Sequence, residues 1–256
     1  MTAWSFDRAA DFYDATRALP SDVHAGITAM LLTELSGRGT CLEIGVGTGR
    51  IALPLLAADV PLVGVDISPK MLRRLVDNAD RRCALAVADV TALPFTAAAF
   101  GAVLASHVLH LIGDWRAAVD EAVRVLGPGA VLLVDFGGHP EAPWHRPTDA
   151  VMKAHGVARL RPGMSVPGPV EEHLRGRAVS RPLPSLTMPV HRTLAEDVAD
   201  LEAQRQSWMW SASPDQITAA AAGVRRWAAD NRWPLDRRVE LQRVIQWWAF
   251  DITGPP

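Results

Sequence analysis

A chain of 256 residues is long enough to bury a full core, as one large domain or as a domain with insertions. Its hydrophobic fraction of 49% is that of an ordinary globular protein, and a net charge of −2 supplies no field to recruit nucleic acid or an anionic membrane. Arginine carries nearly all the positive charge, since Lys70 and Lys153 are the only lysines, and the arginines are scattered among acids. Cys41 and Cys83 are the only cysteines and read as small buried apolar residues, not as a disulfide framework or a metal site. No apolar run reaches the roughly 20 residues of a membrane span, and residues 1–14 lack an apolar signal core, so the expected setting is cytoplasmic.

In chain order, Asp7–Arg17 and Val23–Ser36 read as two helices parted at Pro20, with Ser21 or Asp22 as N-cap. From residue 40 strands and helices alternate. Strands are expected at Thr40–Ile44, Leu62–Asp66, Ala84–Ala88, Val103–Ser106 and Ala130–Asp135, and helices at Arg50–Ala57, Pro69–Ala79 and Asp114–Val125. Unbroken apolar strands with helices between them imply a parallel sheet covered on both faces. Gly127-Pro128-Gly129 should close the last of these helices and turn the chain into the next strand. Beyond Asp135 the alternation breaks down. A Pro-, Gly- and His-rich stretch follows, with a helix expected at Thr148–His155. Further helices are expected at Val170–Ala178, Leu194–Trp208 and Gln216–Trp227, with a short strand at Leu186–Arg192. Arg238–Phe250 reads as a final long strand, although Val239, Leu241, Trp247 and Trp248 would also suit a helix. The whole is one α/β domain whose second half carries helical decoration.

Residues 41–49, Cys-Leu-Glu-Ile-Gly-Val-Gly-Thr-Gly, run an apolar strand into an acid and then into three glycines at alternate positions. A strand–glycine-loop–helix unit is a nucleotide-binding device at the carboxyl edge of an α/β sheet. A dinucleotide fingerprint G-x-G-x-x-G, counted from Gly45 and Gly47, would need glycine where Arg50 stands, and no P-loop lysine is present. Glu43 would repel a pyrophosphate, so the loop suits a ligand without phosphates, one that could carry positive charge. Asp66 ends the second strand, 17 residues beyond Gly49, where it could accept from both hydroxyls of a ribose or cap the next helix through Ser68. Asp89 ends the third strand, where it could accept from an exocyclic amine beside the Val90 amide, or simply form a turn.

These elements stand in a familiar order. The segments LEIGVGTGRIALPL (42–55), VGVDISPKML (63–72), VADVTALPF (87–95), ASHVLHLIGDW (105–115) and EAVRVLGPGAVLLVDF (121–136) resemble the class I S-adenosylmethionine-dependent methyltransferases. Within that family the nearest look is to the small-molecule branch of ubiquinone and menaquinone C-methyltransferase-like proteins. The resemblance implies a Rossmann-like, doubly wound, mostly parallel seven-stranded sheet with helical lid insertions. It implies one domain over 1–256, with an N-terminal lid at 1–37, a cofactor core at 38–136, and sheet completion with helical substrate-side insertions at 137–256. S-adenosylmethionine is the implied cofactor. Glu43 and the backbone at Gly45, Gly47 and Gly49 would flank its methionine part, with Asp66 and the adjacent Ile67 at the ribose. Asp89 and Val90 would meet the adenine, and Ser106 would stand beside the methyl donor. In the resembling branch an N-terminal helix with a Tyr-Asp pair folds over the cofactor, which makes Tyr13 a contact, or otherwise a core residue of the first helix.

Methyl transfer by in-line displacement needs positioning above all, which supplies on the order of 7–11 kcal/mol. Acid–base help adds about 10²–10⁴-fold where the acceptor must lose a proton. His107 and His110 are the candidate bases, on one face if that segment opens a helical turn, or else packing and pocket-wall residues. Asp135 and His139 should face the same pocket, where Asp135 could orient a histidine, bind a cationic substrate or be satisfied by backbone amides. Among nine tryptophans, Trp144, Trp208, Trp210, Trp247 and Trp248 could line an aromatic pocket or pack helices onto the sheet. The expected function is methyl transfer to an O, N or C nucleophile of a small molecule, with no metal, nucleic-acid or membrane partner. A cofactor-binding protein without transfer activity and an enzyme using the same cofactor for other chemistry are the alternatives. Arg50 and Glu43 disfavour a nicotinamide-dependent dehydrogenase.

Overall fold

In the computed structural model, which describes residues 7, 19–79, 83–138, 140–159 and 161–254, the apolar runs become a parallel sheet. Its strands β1 (Cys41–Ile44), β2 (Leu62–Asp66), β3 (Ala84–Val87), β4 (Phe100–Ser106) and β5 (Leu126–Asp135) lie in the order β3-β2-β1-β4-β5. Two further strands, β6 (Ala178–Pro182) and β9 (Trp247–Ile252), complete a seven-stranded sheet in the order β3-β2-β1-β4-β5-β9-β6. β9 runs antiparallel to both β5 and β6. The direction of winding reverses where β1 pairs with β2 on one side and β4 on the other. In open α/β sheets that switch point leaves a crevice at the carboxyl ends of the strands.

The described residues fall into two compact units. The first comprises the chain up to residue 137, residues 162–186 and the stretch from 245, and it holds the sheet. Helices α1 (Ser21–Leu35), α2 (Ala52–Ala57), α3 (Pro69–Asn78), α4 (Trp115–Val125) and α6 (Gly168–His173) accompany it. Its core joins Leu42, Ile44, Val65, Val103, Leu132 and Val134 of the strands to Trp115, Val119 and Val123 of α4. Helix α1 buries Val23, Ile27, Leu31 and Leu35, a strict four-residue spacing that makes one stripe. Arg181 of β6 joins both carboxylate oxygens of Glu34 in α1 and also reaches Asp251 of β9.

The second unit comprises residues 138–161 and 187–244. It contains α5 (His145–Ala154), α7 (Leu194–Glu202), α8 (Pro214–Asp230) and most of a two-stranded sheet of β7 (Leu186–Arg192) and β8 (Val239–Ile245). Its own core is Trp144, Met152, Leu194, Val198, Leu201, Ile217 and Val224. Capping boxes start α7 at Thr193 with Glu196 and α8 at Ser213 with Gln216.

Several boundaries differ from the sequence expectation, each for a local reason. Ser21 already lies inside α1, and the N-cap place falls on Pro20, whose extended ψ of 146° supplies the geometry without a side-chain bond. Gly127-Pro128-Gly129 does not separate helix from strand. β5 begins at Leu126, and the ladder jumps from Phe100↔Leu126 to Ala102↔Val131, so the glycine segment is an irregularity within the strand. The helix expected over Val170–Ala178 ends at His173, and Gly176, at φ +77°, turns the chain into β6. The helix expected to reach Trp208 stops at Glu202, with Gln204 in the left-handed region and a separate 3-10 turn at Ser207–Met209. The final long strand is two strands. Gln246 breaks it, its side-chain amide donating to the carbonyls of Leu183 and Trp247. The helix expected over 7–17, with Tyr13 and Arg17, lies outside the described residues apart from Asp7, as does His139.

Candidate active site

The parallel register brings the strand-end residues to one edge. Ile44 stands opposite Val65 and Ala105, Asp66 opposite Val87, and Ser106 opposite Asp135. The glycine loop leaves β1 at this edge. Gly45 sits at φ +66°, and a Cβ there would meet Val108 Cγ2 at 2.5 Å, so the missing side chain is what lets the exit of β4 pack onto the loop. At Gly47, φ +58°, the nearest atom to an added Cβ is the Gly45 carbonyl at 4.0 Å. Space for a ligand against the backbone therefore lies at Gly47. Gly49 faces Leu53 and Leu75, each 2.9 Å from an added Cβ, and seats the loop on α2 and α3.

Glu43, two residues before the loop, is only 2% exposed, and its Oε2 has no hydrogen-bond partner among the described residues. Burial pushes its pKa up to about 8, against the pull of Arg50 and with a small further push from Asp66. An orphaned, buried carboxylate oxygen beside open backbone at Gly47 fits a cationic donor such as an ammonium group. Asp66 accepts from the Gly47 amide at 2.9 Å and from the Ser68 amide at 2.8 Å. Ser68 in turn caps α3, its Oγ accepting from the Met71 amide at 3.2 Å. Burial raises the Asp66 carboxyl above its ordinary value, more than the amides of Ser68, Gly47 and Ile67 lower it. The Gly47 amide bonds one carboxylate oxygen and the Ser68 amide the other, and of about four lone-pair sites on a carboxylate these amides leave capacity for a hydroxyl donor. Ile67 next to it is 37% exposed, a large apolar side chain left in the open at this edge.

At the end of β3, Asp89 takes the turn-forming arrangement: its Oδ1 accepts from the Thr91 amide at 2.9 Å and the Thr91 hydroxyl at 2.8 Å. Val90 beside it is buried. At the end of β4, Ser106 is buried and its Oγ accepts from Arg50 Nη2 at 3.2 Å. His107 follows at φ +52°, a left-handed conformation uncommon for a non-glycine residue. Its Nε2 lies 3.1 Å from Asp135 Oδ2, and Asp135 Oδ1 accepts from the Gly137 amide at 2.8 Å. Burial alone would raise the Asp135 carboxyl; the bond to His107, its charge, the Gly137 amide and Arg50 together hold it below the usual carboxylate range.

His107 and His110 do come together, with ring centroids 6.2 Å apart in an edge-to-face arrangement. The bend at His107 and a 3-10 turn at Leu109–Leu111 achieve this, not one face of a helix. That turn is braced by the segment after residue 161, where the Gly163 amide donates to the His110 carbonyl and the Met164 amide to that of Leu109. Three of the five candidate tryptophans are core residues. Trp144 and Trp208 belong to the core of the second unit, and Trp247 is fully buried in β9.

Sequence reasoning treated Arg50 only as a departure from the dinucleotide pattern, yet its guanidinium reaches the strand edge at Ser106. The available signal was a cation placed directly after an acid and a glycine loop. Asp7 was also missed. Its Oδ1 accepts from Ser68 Oγ at 2.5 Å and from the Lys70 amide at 3.3 Å, and its charge bears on Asp66.

Residues 42–134 match a family model described as a methyltransferase domain. The chain is 34% identical over 146 residues to the ubiquinone/menaquinone biosynthesis C-methyltransferase of Syntrophotalea carbinolica, an alignment that covers 54% of this chain and 62% of that one. Its fold is similar to that of YcgJ from Bacillus subtilis, with a TM-score of 0.61 at 17% identity, covering 91% of this chain and 100% of that one. It is also similar to phosphoethanolamine N-methyltransferase 2 of Haemonchus contortus, solved with phosphomonomethylethanolamine and S-adenosylhomocysteine. There the TM-score is 0.54 at 18% identity, covering 97% of this chain and 58% of that one. The chain thus spans less than two thirds of the length of the curated relative it matches.

Proposed function

From a chain whose residues 42–134 match a methyltransferase domain, we propose an enzyme of the class I S-adenosylmethionine-dependent family that moves a methyl group from S-adenosylmethionine to an O, N or C nucleophile of a small molecule. The observation that carries the reading is the unpartnered, buried Oε2 of Glu43 at the lip of the glycine loop. Isolated burial of a carboxylate is costly, and an amino group of the ligand offsets that cost. When bound, S-adenosylmethionine supplies a methyl group already activated on a sulfonium.

The residues divide the remaining work. Glu43 takes the ammonium, and the backbone from Gly45 to Gly49 lets the methionine part lie close to the main chain. Asp66 accepts from the ribose hydroxyls with the lone pairs that Gly47 and Ser68 leave, and Ile67 offers an apolar contact. Asp89, through its second oxygen, and the Val90 amide read the adenine. Ser106 lies beside the reacting centre. His107, oriented by Asp135, and His110 accept a proton from the acceptor where its chemistry requires that. The free thiols of Cys41 and Cys83 suit a cytoplasmic setting.

The test is a hydrolase-coupled methyl-transfer screen over small hydroxylated, aminated and aromatic compounds. At least one class should be methylated. With that acceptor, His110→Ala should slow transfer by about 10²–10⁴-fold while cofactor affinity holds. An unchanged rate removes His110 from the chemistry, and a protein that binds the cofactor yet methylates nothing across the screen contradicts the transferase reading.

A further inference from the structure

Arg50 occupies the place where a dinucleotide fingerprint would carry its last glycine, and its position has a chemical logic of its own. Its backbone is pinned, since the Arg50 carbonyl lies 2.7 Å from His24 Nε2. Its side chain crosses the strand edge, with Nη2 at 3.2 Å from Ser106 Oγ, and Ser106 is paired in register with Asp135. A guanidinium has five N–H donors in a planar fork, and among the described residues a neutral hydroxyl is its side-chain hydrogen-bond partner. On the other side of the glycine loop stands Glu43, buried, with Oε2 lacking a partner. The charges of Glu43 and Arg50 act on one another, and Arg50 also acts on Asp135. One loop is therefore flanked by an acid with an unmet need for a donor and a base with donors to spare.

A free α-amino acid end carries the matching pair, an ammonium and a carboxylate. We infer that Arg50 holds the carboxylate of the cofactor's amino-acid end while Glu43 takes its ammonium, so that the two side chains clamp a zwitterion across the glycine loop. The clamp rests on the S-adenosylmethionine reading above. A planar guanidinium meets a carboxylate with two parallel bonds, a geometry an ammonium cannot reproduce. The Ser106 hydroxyl keeps the fork turned toward the strand edge. With Asp66 holding the nucleoside end, the clamp fixes the molecule at both ends and leaves the sulfur between them no freedom to slide along the edge.

Calorimetry on the full chain separates the possibilities, using S-adenosylhomocysteine and 5′-methylthioadenosine, which lacks the amino-acid end. Arg50→Gln should weaken S-adenosylhomocysteine by about 10- to 100-fold, with Arg50→Lys recovering part of the loss. Methylthioadenosine should bind wild type and both variants within about twofold, which also shows that the variants are folded. Unchanged S-adenosylhomocysteine affinity in Arg50→Gln overturns the clamp. So does an equal loss of both ligands, which would make Arg50 a prop for the loop. If wild type binds neither compound, the cofactor reading itself fails.

Discussion

A carboxylate with 2% of its surface exposed and one oxygen without a partner is unfavourable to bury, and Glu43 responds by holding its proton. Its pKa rises from 4.5 unfolded to about 8 folded, so its contribution to stability is fully present below about pH 4.5 and is lost as the pH rises through about 8. The difference amounts to a few kcal/mol on the order of 1.4 kcal/mol per pH unit. Urea titrations without ligand should therefore show wild type losing stability between pH 5 and pH 8 more steeply than Glu43→Gln, by about 2–4 kcal/mol. Parallel pH profiles for the two proteins would contradict the assignment. The same titration predicts that a cationic ligand releases a proton from Glu43 as it binds near pH 7, which calorimetry in buffers of different ionisation enthalpy reads directly. Of these features the acid itself was legible in the sequence, because an acid before alternate glycines is a local pattern. The reach of Arg50 to Ser106, across 56 positions of sequence, was not.

Among the elements, the glycine loop makes the sharpest mutational forecast. Gly45→Ala would set a methyl group 2.5 Å from Val108 at a φ of +66°. Strain at such a site is worth about 1–3 kcal/mol, to which the clash adds. The variant should melt earlier and lose affinity for S-adenosylhomocysteine, since Val108 and the loop must move apart; wild-type behaviour would show that the loop is looser than its geometry. In the second unit, Asp197 is the corresponding node. It accepts from Trp144 Nε1 at 2.7 Å, pairs with His145 Nε2 at 3.0 Å, and is bound by Arg192. Burial would raise its carboxyl, but His145, Trp144 and Arg192 outweigh burial and lower it to about 2. Its stabilising share is present above about pH 3.8 and is lost as the pH falls toward about 2. Asp197→Asn should cost roughly 2–3 kcal/mol at neutral pH and much less below pH 3, read from urea midpoints. The five parallel strands were legible as continuous apolar runs; β1, β2, β4 and β5 are largely buried, whereas β3, at the sheet edge, keeps an apolar run without that burial. β6, Ala-Val-Ser-Arg-Pro, was not, since an edge strand with a charged residue and a terminal proline carries no such run. The junction of β8 and β9 hid in a continuous extended pattern; burial alternates along β8 and becomes mostly complete along β9, a change the residue types do not announce.

At the scale of the whole molecule, the sequence places the ligand end of the chemistry more firmly than the acceptor end, for a physical reason. A nucleoside is held by strand-end acids and a glycine loop, whose spacing along the chain is set by strand and helix lengths. The acceptor is held by whatever surrounds it, and residues 138–161 and 187–244 form a separate compact unit whose core of Trp144, Trp208 and Ile217 follows no nucleotide-linked spacing. Half-buried amphipathic helices there obey the same periodicity whether they bind a substrate or only cover a core. The central claim remains the donor. Titration of the wild-type chain with S-adenosylhomocysteine, and in parallel with NADH, tests it most directly. S-adenosylhomocysteine should bind with a roughly micromolar Kd, weakened at least about 10-fold by Asp66→Ala, and NADH should show no comparable binding. Tight NADH binding, or S-adenosylhomocysteine affinity indifferent to Asp66→Ala, would contradict it.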